Sequence, residues 1–225
     1  MESITTSVFE EIQREINARG SNERYLVGVG GFPGSGKSSF TKHLTDTFTS
    51  HGVKAVAISM DGWHYTRDQL SKFPDPTAAF ARRGAPHTFD ADAYTQFIHS
   101  LKSEPRVQLQ APTFSHSLKD PTPGGTQVDP SVEVVIIEGN YVLLDEERWI
   151  DAARTLDKKV WIDVDEEETK QRLVKRHLDS GICKDIEEAV QRAELNDLDN
   201  GRYARSKLVP DTQIIESVHD AKFAI

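Results

Sequence analysis

Apolar residues in this chain fall into short, unbroken runs separated by longer stretches of helical periodicity. The runs cover residues 25–29, 53–60, 132–137 and 160–164, with a short fifth at 213–215. A strand buried on both faces gives such a run, whereas a half-exposed strand alternates apolar and polar positions. Strands alternating with helices predict an α/β fold: a parallel sheet with helices on both faces and right-handed crossovers. Residues 7–19 predict an amphipathic helix, with Val8, Phe9, Ile12 and Ile16 on one face. Ser7 and Glu10 match a capping box there, and Gly20 supplies a stop. A second helix is expected over residues 37–50, and a third near 91–101 with Asp90 as its N-cap. Residues 111–130, rich in Pro and Gly, predict the longest irregular segment. From residue 166 the chain turns densely charged and helical. Stretches 166–178 and 186–198, separated by Ser180 and Gly181, predict a helix–loop–helix lid over about residues 166–200, in an otherwise single domain spanning 1–225.

Composition narrows the function. A chain of 225 residues suits one α/β domain with a substantial core. The net charge of −9 argues against nucleic acid as a partner, so an anionic ligand needs a local basic or backbone-amide site. The lone Cys183 forms no internal disulfide and excludes a multi-cysteine zinc site. No apolar run approaches the roughly 18 residues of a membrane span. Glu2, Glu10 and Glu11 argue against a targeting peptide. A cytoplasmic protein without a membrane partner is the expectation, either monomer or homodimer.

The strongest chemical signal is Gly31-Phe32-Pro33-Gly34-Ser35-Gly36-Lys37-Ser38, which fits G-x-x-x-x-G-K-[ST] between a predicted strand and a predicted helix. Glycines let backbone N–H groups turn inward around phosphate oxygens, and the helix N-terminus adds a positive dipole end. Residues 31–38, with Ser39 following, are thus expected to bind a nucleoside triphosphate. Lys37 should reach its β- and γ-phosphates, and the Ser38 hydroxyl should join a Mg²⁺ shell.

Ligands of open α/β sheets bind beyond the carboxyl ends of the strands. Asp61 ends the second apolar run and Glu138 the third, each followed by glycine. Asp61 is assigned as general base or orienter for an acceptor hydroxyl, and Glu138 to the Mg²⁺ or its bound water. These two roles are exchangeable on sequence grounds, and each acid alone also fits a helix cap or a solvated turn.

Met60-Asp61-Gly62-Trp63-His64-Tyr65, Arg82-Arg83-Gly84-Ala85-Pro86 and Ile137-Glu138-Gly139-Asn140-Tyr141 resemble the phosphoribulokinase/uridine kinase family of P-loop kinases. Within it they look most similar to fungal and bacterial members of undefined substrate related to pantothenate kinases. The resemblance runs from about residue 25 to residue 215. It implies a P-loop NTPase three-layer sandwich with five parallel strands in order 2-3-1-4-5, ATP and Mg²⁺ as cofactors, and a metabolite hydroxyl as acceptor. It also implies Asp61 as catalytic base, although Trp63 stands where Phe is more usual.

An acceptor pocket would draw on His64, Tyr65, Arg67, Arg82, Arg83, His116 and Tyr141. Thr113-Phe114-Ser115-His116 is similar to a stretch near the substrate site of pantothenate kinases. Arginine, histidine and aromatic residues together suit a polar or anionic metabolite. The same residues also fit a solvated basic turn, ordinary histidines and, for Tyr141 and Trp63, simple core packing. Arg172 and Arg176, four apart on one helix face, match the family's lid arginines. Their competing reading is a solvated face paired with Glu167, Glu168 and Asp179. Asn196, Asp197 and Asn200 either brace the lid's second helix or are solvated. The function expected is transfer of the ATP γ-phosphoryl to a small metabolite: a nucleoside, a pantothenate-like acid, or a sugar or sugar acid. The alternatives are a nucleotide-dependent switch and a regulatory ATP-binding module. A GTP switch would carry N-K-x-D, which is absent.

Overall fold

The computed structural model describes residues 2–19, 22–115 and 117–217. Five strands form one parallel sheet: β1 (Tyr25–Gly31), β2 (Ala55–Ser59), β5 (Val134–Glu138), β6 (Lys158–Asp163) and β7 (Gln213–Glu216). They lie in the order β2-β5-β1-β6-β7, which is the expected 2-3-1-4-5 once the two strands β3 (Leu109–Ser115) and β4 (Asp120–Val128) are set aside. Those two pair antiparallel as a separate ribbon.

Side-chain alternation along β1 explains the three layers. Tyr25, Val27 and Val29 face α1 (Glu2–Arg19) and α2 (Lys37–Ser50), packing with Val8, Phe9, Ile12, Phe40, Leu44 and Phe48. Leu26 faces the other way. There the core is built with α5 (Ala91–Leu101) and α6 (Ile150–Thr155) through Tyr94, Ile98, Ala152 and Ala153. Short α3 (Arg67–Leu70) and α4 (Pro76–Ala81) lie between β2 and α5. As expected, the Asp90 side chain caps α5, accepting from the Ala93 N–H at 3.0 Å.

Three expectations change. First, α1 starts at Glu2, so Ser7 lies within it and is no cap. Thr5 is buried and Ile4 packs on the core, which extends the helix by more than a turn. The predicted stop, Gly20, lies outside the described residues. Second, most of the stretch expected to be irregular is the β3–β4 ribbon: residues 111–115 and 120–128 lie in its two strands. Ala111 and Val128 are fully buried and anchor it, and Gly62, in the 3-10 turn after β2, is where it packs closely: a Cβ there would stand 2.1 Å from the Pro112 carbonyl oxygen. Third, the last long helical stretch does not end at residue 198. After α7 (Glu166–Asp179) it runs as α8 (Ile186–Arg192), a π-helical turn (Ala193–Leu198) and α9 (Asp199–Ser206).

Helix α9 packs on the back of the glycine-rich loop. A Cβ on Gly201 would come within 2.2 Å of the Phe32 ring, which also meets Trp161 edge-on at 6.0 Å. At the opposite end of the sheet, Asp157 accepts from the Leu26 N–H at 2.8 Å, Lys102 at 2.6 Å and Arg19 at 2.6 Å. Burial alone would raise its pKa, but these donors hold the carboxyl below the ordinary aspartate range.

Two outcomes follow from this packing. Gly201→Ala is expected to lower unfolding free energy by about 1–3 kcal/mol through overpacking against Phe32, measured by urea denaturation. Asp157→Asn is expected to cost about 3 kcal/mol at neutral pH, because Lys102 and Arg19 lose their buried partner. Since the folded-state pKa is depressed, this contribution is complete above about pH 4 and is lost as pH falls through the folded value. The gap between wild type and Asp157→Asn should therefore shrink below about pH 4, and a gap constant with pH would contradict the assignment.

Candidate active site

Parallel strands end together, and the site is built on that edge. Glu138 pairs in register with Val29 of β1 on one side and Ser59 of β2 on the other. Past Val29 the chain runs through Gly30 and Gly31 into the loop of residues 31–38. Past Ser59 it turns through a 3-10 helix, Met60–Trp63, which carries Asp61; the Ser59 hydroxyl accepts from the Asp61 N–H at 3.3 Å.

The loop has the backbone its motif requires. Gly34 and Gly36 sit at φ +83° and +90°, a region closed to most side chains. Its turn is closed by the Ser35 N–H donating to the Phe32 carbonyl at 3.0 Å, and α2 opens with the Phe40 N–H donating to the Gly36 carbonyl at 3.0 Å. Ser35 and Pro33 are buried, while Ser38 is exposed and Ser39 partly so. Lys37 arches back over the loop, its Nζ 3.4 Å from the Phe32 carbonyl.

Electrostatics tie the loop to both acids. Burial pushes the Lys37 ammonium down from its ordinary pKa, while Glu138 and Asp61 push it up and Arg176 adds to the lowering. Burial likewise pushes Glu138 up; Lys37 opposes this, the Asp61 charge adds to it, and bonds from Ser59 and Ser38 oppose it. The Ser38 hydroxyl donates to Glu138 Oε2 at 3.2 Å. Lys37, Ser38, Asp61 and Glu138 thus share one charged space, with the Asp61 side chain 45% accessible.

Helix α7 covers the loop. Arg172 donates to the Gly34 carbonyl at 3.3 Å and pairs with Glu168, so it ties α7 to the loop. Arg176 is exposed, its guanidinium makes no hydrogen bond or ion pair among the described residues, and it is close enough for its charge to be felt at Lys37. Beside it, buried His177 meets Asp197 of the π-helical turn at 2.9 Å.

The pocket residues fall into two sets. His64 lies next to Asp61: its Nδ1 is 2.9 Å from the Asp61 carbonyl, and its ring lies between Phe89 at 3.9 Å and Phe114 at 4.9 Å. Tyr65 meets Phe73 at 5.4 Å, and the Arg67 guanidinium lies over Phe80 at 5.6 Å. Arg82, Arg83 and Tyr141 make internal bonds. Arg83 donates to the Tyr65 carbonyl at 2.9 Å and to Asp120 at 3.0 Å. Arg82 pairs with Asp199 at 2.6 Å. The buried Tyr141 hydroxyl donates to the Gly84 carbonyl at 2.7 Å. Trp63 is buried against Tyr94 and Phe97, the packing its competing reading expected. His116 lies outside the described residues.

Sequence reasoning passed over Asp120 and Gly201, and placed His177 only beside the arginines without its partner Asp197. Asp120 accepts from the Arg67 N–H at 2.8 Å as well as from Arg83, fastening the ribbon to the segment after Asp61. Its place in a stretch read as irregular hid that role. For Asn196, Asp197 and Asn200 the available signal was their clustering on one helix, which acquires meaning only with Arg82, Arg83 and His177 facing them.

Among the described residues no helix is long and apolar enough to cross a membrane. The chain is 35% identical over 217 residues to a Schizosaccharomyces pombe protein named as a candidate uridine kinase, covering 94% of this chain and 92% of that one. A crystal structure of a candidate fructose transport system kinase from Silicibacter sp. TM1040 superposes with TM-score 0.83 at 31% identity, covering 93% of this chain and 98% of that one. The structure of YFH7 from Saccharomyces cerevisiae, described as a candidate P-loop kinase with a circular permutation, superposes with TM-score 0.83 over 96% of this chain and 99% of that one; at 24% identity it speaks to the fold alone. The phosphoribulokinase/uridine kinase family model matches residues 26–200. With a complete phosphate loop and two strand-end acids on one sheet edge, the chain belongs to the phosphoribulokinase/uridine kinase family, whose members are ATP-dependent kinases.

Proposed function

We propose that this protein transfers the γ-phosphoryl of ATP to a hydroxyl of a small metabolite, with Asp61 as the base that receives the hydroxyl proton. The observation that carries this reading is the shared charged space of Lys37, Glu138 and the accessible Asp61 on one sheet edge.

The loop amides and Lys37 hold the triphosphate, whose negative charge offsets the cost of burying the ammonium. Ser38 and Glu138 suit Mg²⁺: both offer oxygen, and they meet at 3.2 Å. No group of three or more His, Cys, Asp or Glu among the described residues could hold a metal alone. That agrees with an ion that takes one or two protein ligands and completes its shell from water and phosphate oxygens. When bound, Mg²⁺ neutralises charge on the phosphates during transfer. Asp61 orients the acceptor hydroxyl in line with the γ-phosphorus and takes its proton. Arg176, with Arg172 anchored on the loop, supplies positive charge to the migrating group. The lid excludes water, which suppresses hydrolysis in place of transfer.

The acceptor docks beside His64, between the Asp61 turn and the β3–β4 ribbon. Names borne by relatives make uridine and D-fructose the first compounds to test, joined by pantothenate and sugar acids. Against that panel, Lys37→Ala and Asp61→Asn are each expected to lower acceptor-dependent ADP release by about 10²–10⁴-fold in a coupled assay. Asp61→Asn should still bind ATP within about threefold of wild type by calorimetry, since the base acts on the acceptor. Undiminished turnover in Asp61→Asn would remove the base assignment.

A further inference from the structure

The consecutive arginines Arg82 and Arg83 leave the chain in opposite directions. Arg83 reaches the acceptor side: the Tyr65 carbonyl at 2.9 Å, Asp120 at 3.0 Å, and the face of Phe114 at 5.5 Å. Arg82 reaches the lid side, donating to the Leu195 carbonyl, to Asp199 at 2.6 Å and to Asn200 Oδ1 at 3.3 Å. Asn200 Nδ2 donates to Asn196 Oδ1 at 3.4 Å, and Asn196 Nδ2 returns to the Arg83 carbonyl at 3.3 Å. Both amides are buried, at 7% exposure for Asn196 and 3% for Asn200.

Between them, Asp197 bonds His177 on α7, the residue after Arg176. These bonds, joined by the peptide link from Asn196 to Asp197, make a path from the ribbon through Arg83 to the helix that carries both lid arginines. The π-helical turn places Asn196 and Asp197 on this path; such turns inside α-helices are frequent at functional sites. Buried amides are costly unless bonded, and bonded they favour one arrangement where apolar side chains would slide.

We propose that Asn200, clasped by Arg82, and Asn196, bonded to the Arg83 carbonyl, are positioning residues that fix α7, and with it Arg176, over the phosphate loop and couple lid position to the acceptor side. This rests on the phosphoryl-transfer reading, and it assigns Arg82 to the lid instead of to the acceptor.

The test is a double-mutant cycle with Asn200→Ala and Arg176→Ala, together with hydrogen exchange of α7 amides in the presence of Mg²⁺ and a non-hydrolysable ATP analogue. Turnover is read as ADP release with the stimulating compound of the panel. Asn200→Ala is expected to lower kcat by about 10- to 100-fold through misplacement of the arginine. KM for ATP should stay within about twofold. Arg176→Ala should cost far less in the Asn200→Ala background than alone. Exchange should quicken over α7 and stay unchanged over α2. Arg82→Lys, at a side chain 37% exposed, is the second variant should Asn200→Ala fail to fold. It should lower kcat and quicken α7 exchange without raising the acceptor KM. Losses that multiply independently, or α7 exchange equal to wild type, would overturn the clasp. So would an acceptor KM that rises in Arg82→Lys with α7 unchanged, the signature of direct substrate contact. Should no compound stimulate turnover, the phosphoryl-transfer reading fails, while α7 exchange still decides whether the clasp holds the lid.

Discussion

Everything in this molecule depends on the register of three parallel strands. Val29, Glu138 and Ser59 stand side by side across β1, β5 and β2; β5 and β2 end at that level, and β1 runs two residues further, to Gly31. One exit forms the phosphate loop, one ends in a carboxylate that accepts from Ser38, and one turns into Asp61. A slip of one residue would send alternate side chains to the opposite face and separate Glu138 from the loop. The apolar layers on both faces prevent it, since each strand has its side chains committed to a buried partner.

The edge is electrostatically unbalanced on its own. A half-buried ammonium and a half-buried carboxyl each lie away from their ordinary pKa, and their mutual attraction only partly offsets desolvation. A site of this kind favours ligands that bring the missing charges, which a triphosphate and a divalent cation would do. Helix α7 adds cations from above, with Arg172 anchored to the loop and Arg176 left accessible. Phe32 packs against Gly201 of α9, and the bonds from Asn196 to the Arg83 carbonyl and from Arg83 to Asp120 tie the π-helical turn to the ribbon.

Much of this was legible in the sequence. Apolar runs marked all five sheet strands, most plainly β1 and β5, where burial on both faces leaves a local signature, and less plainly the partly exposed edge strands β2 and β7; the resemblance supplied their order. The phosphate loop was legible because its glycines and lysine are adjacent in the chain. The ribbon was not: Pro121, Pro123, Gly124 and Gly125 have poor strand propensity, and what anchors the ribbon is the burial of Ala111 and Val128, one on each strand, which only the folded chain provides. The internal bonds of Arg82 and Arg83 were equally hidden, because Asp199 and Asn200 lie more than a hundred positions away from Arg82. Ser7 with Glu10 matched a capping box, yet tertiary packing of Ile4 and Thr5 carried the helix past it.

The most direct test is a crystal structure with Mg²⁺ and a non-hydrolysable ATP analogue. The account predicts the terminal phosphate against Lys37, the metal beside Ser38 and Glu138, and an open cleft between that phosphate and the Asp61 carboxylate. Triphosphate bound away from the loop of residues 31–38, or Asp61 turned from the terminal phosphate with no room between them, would contradict it.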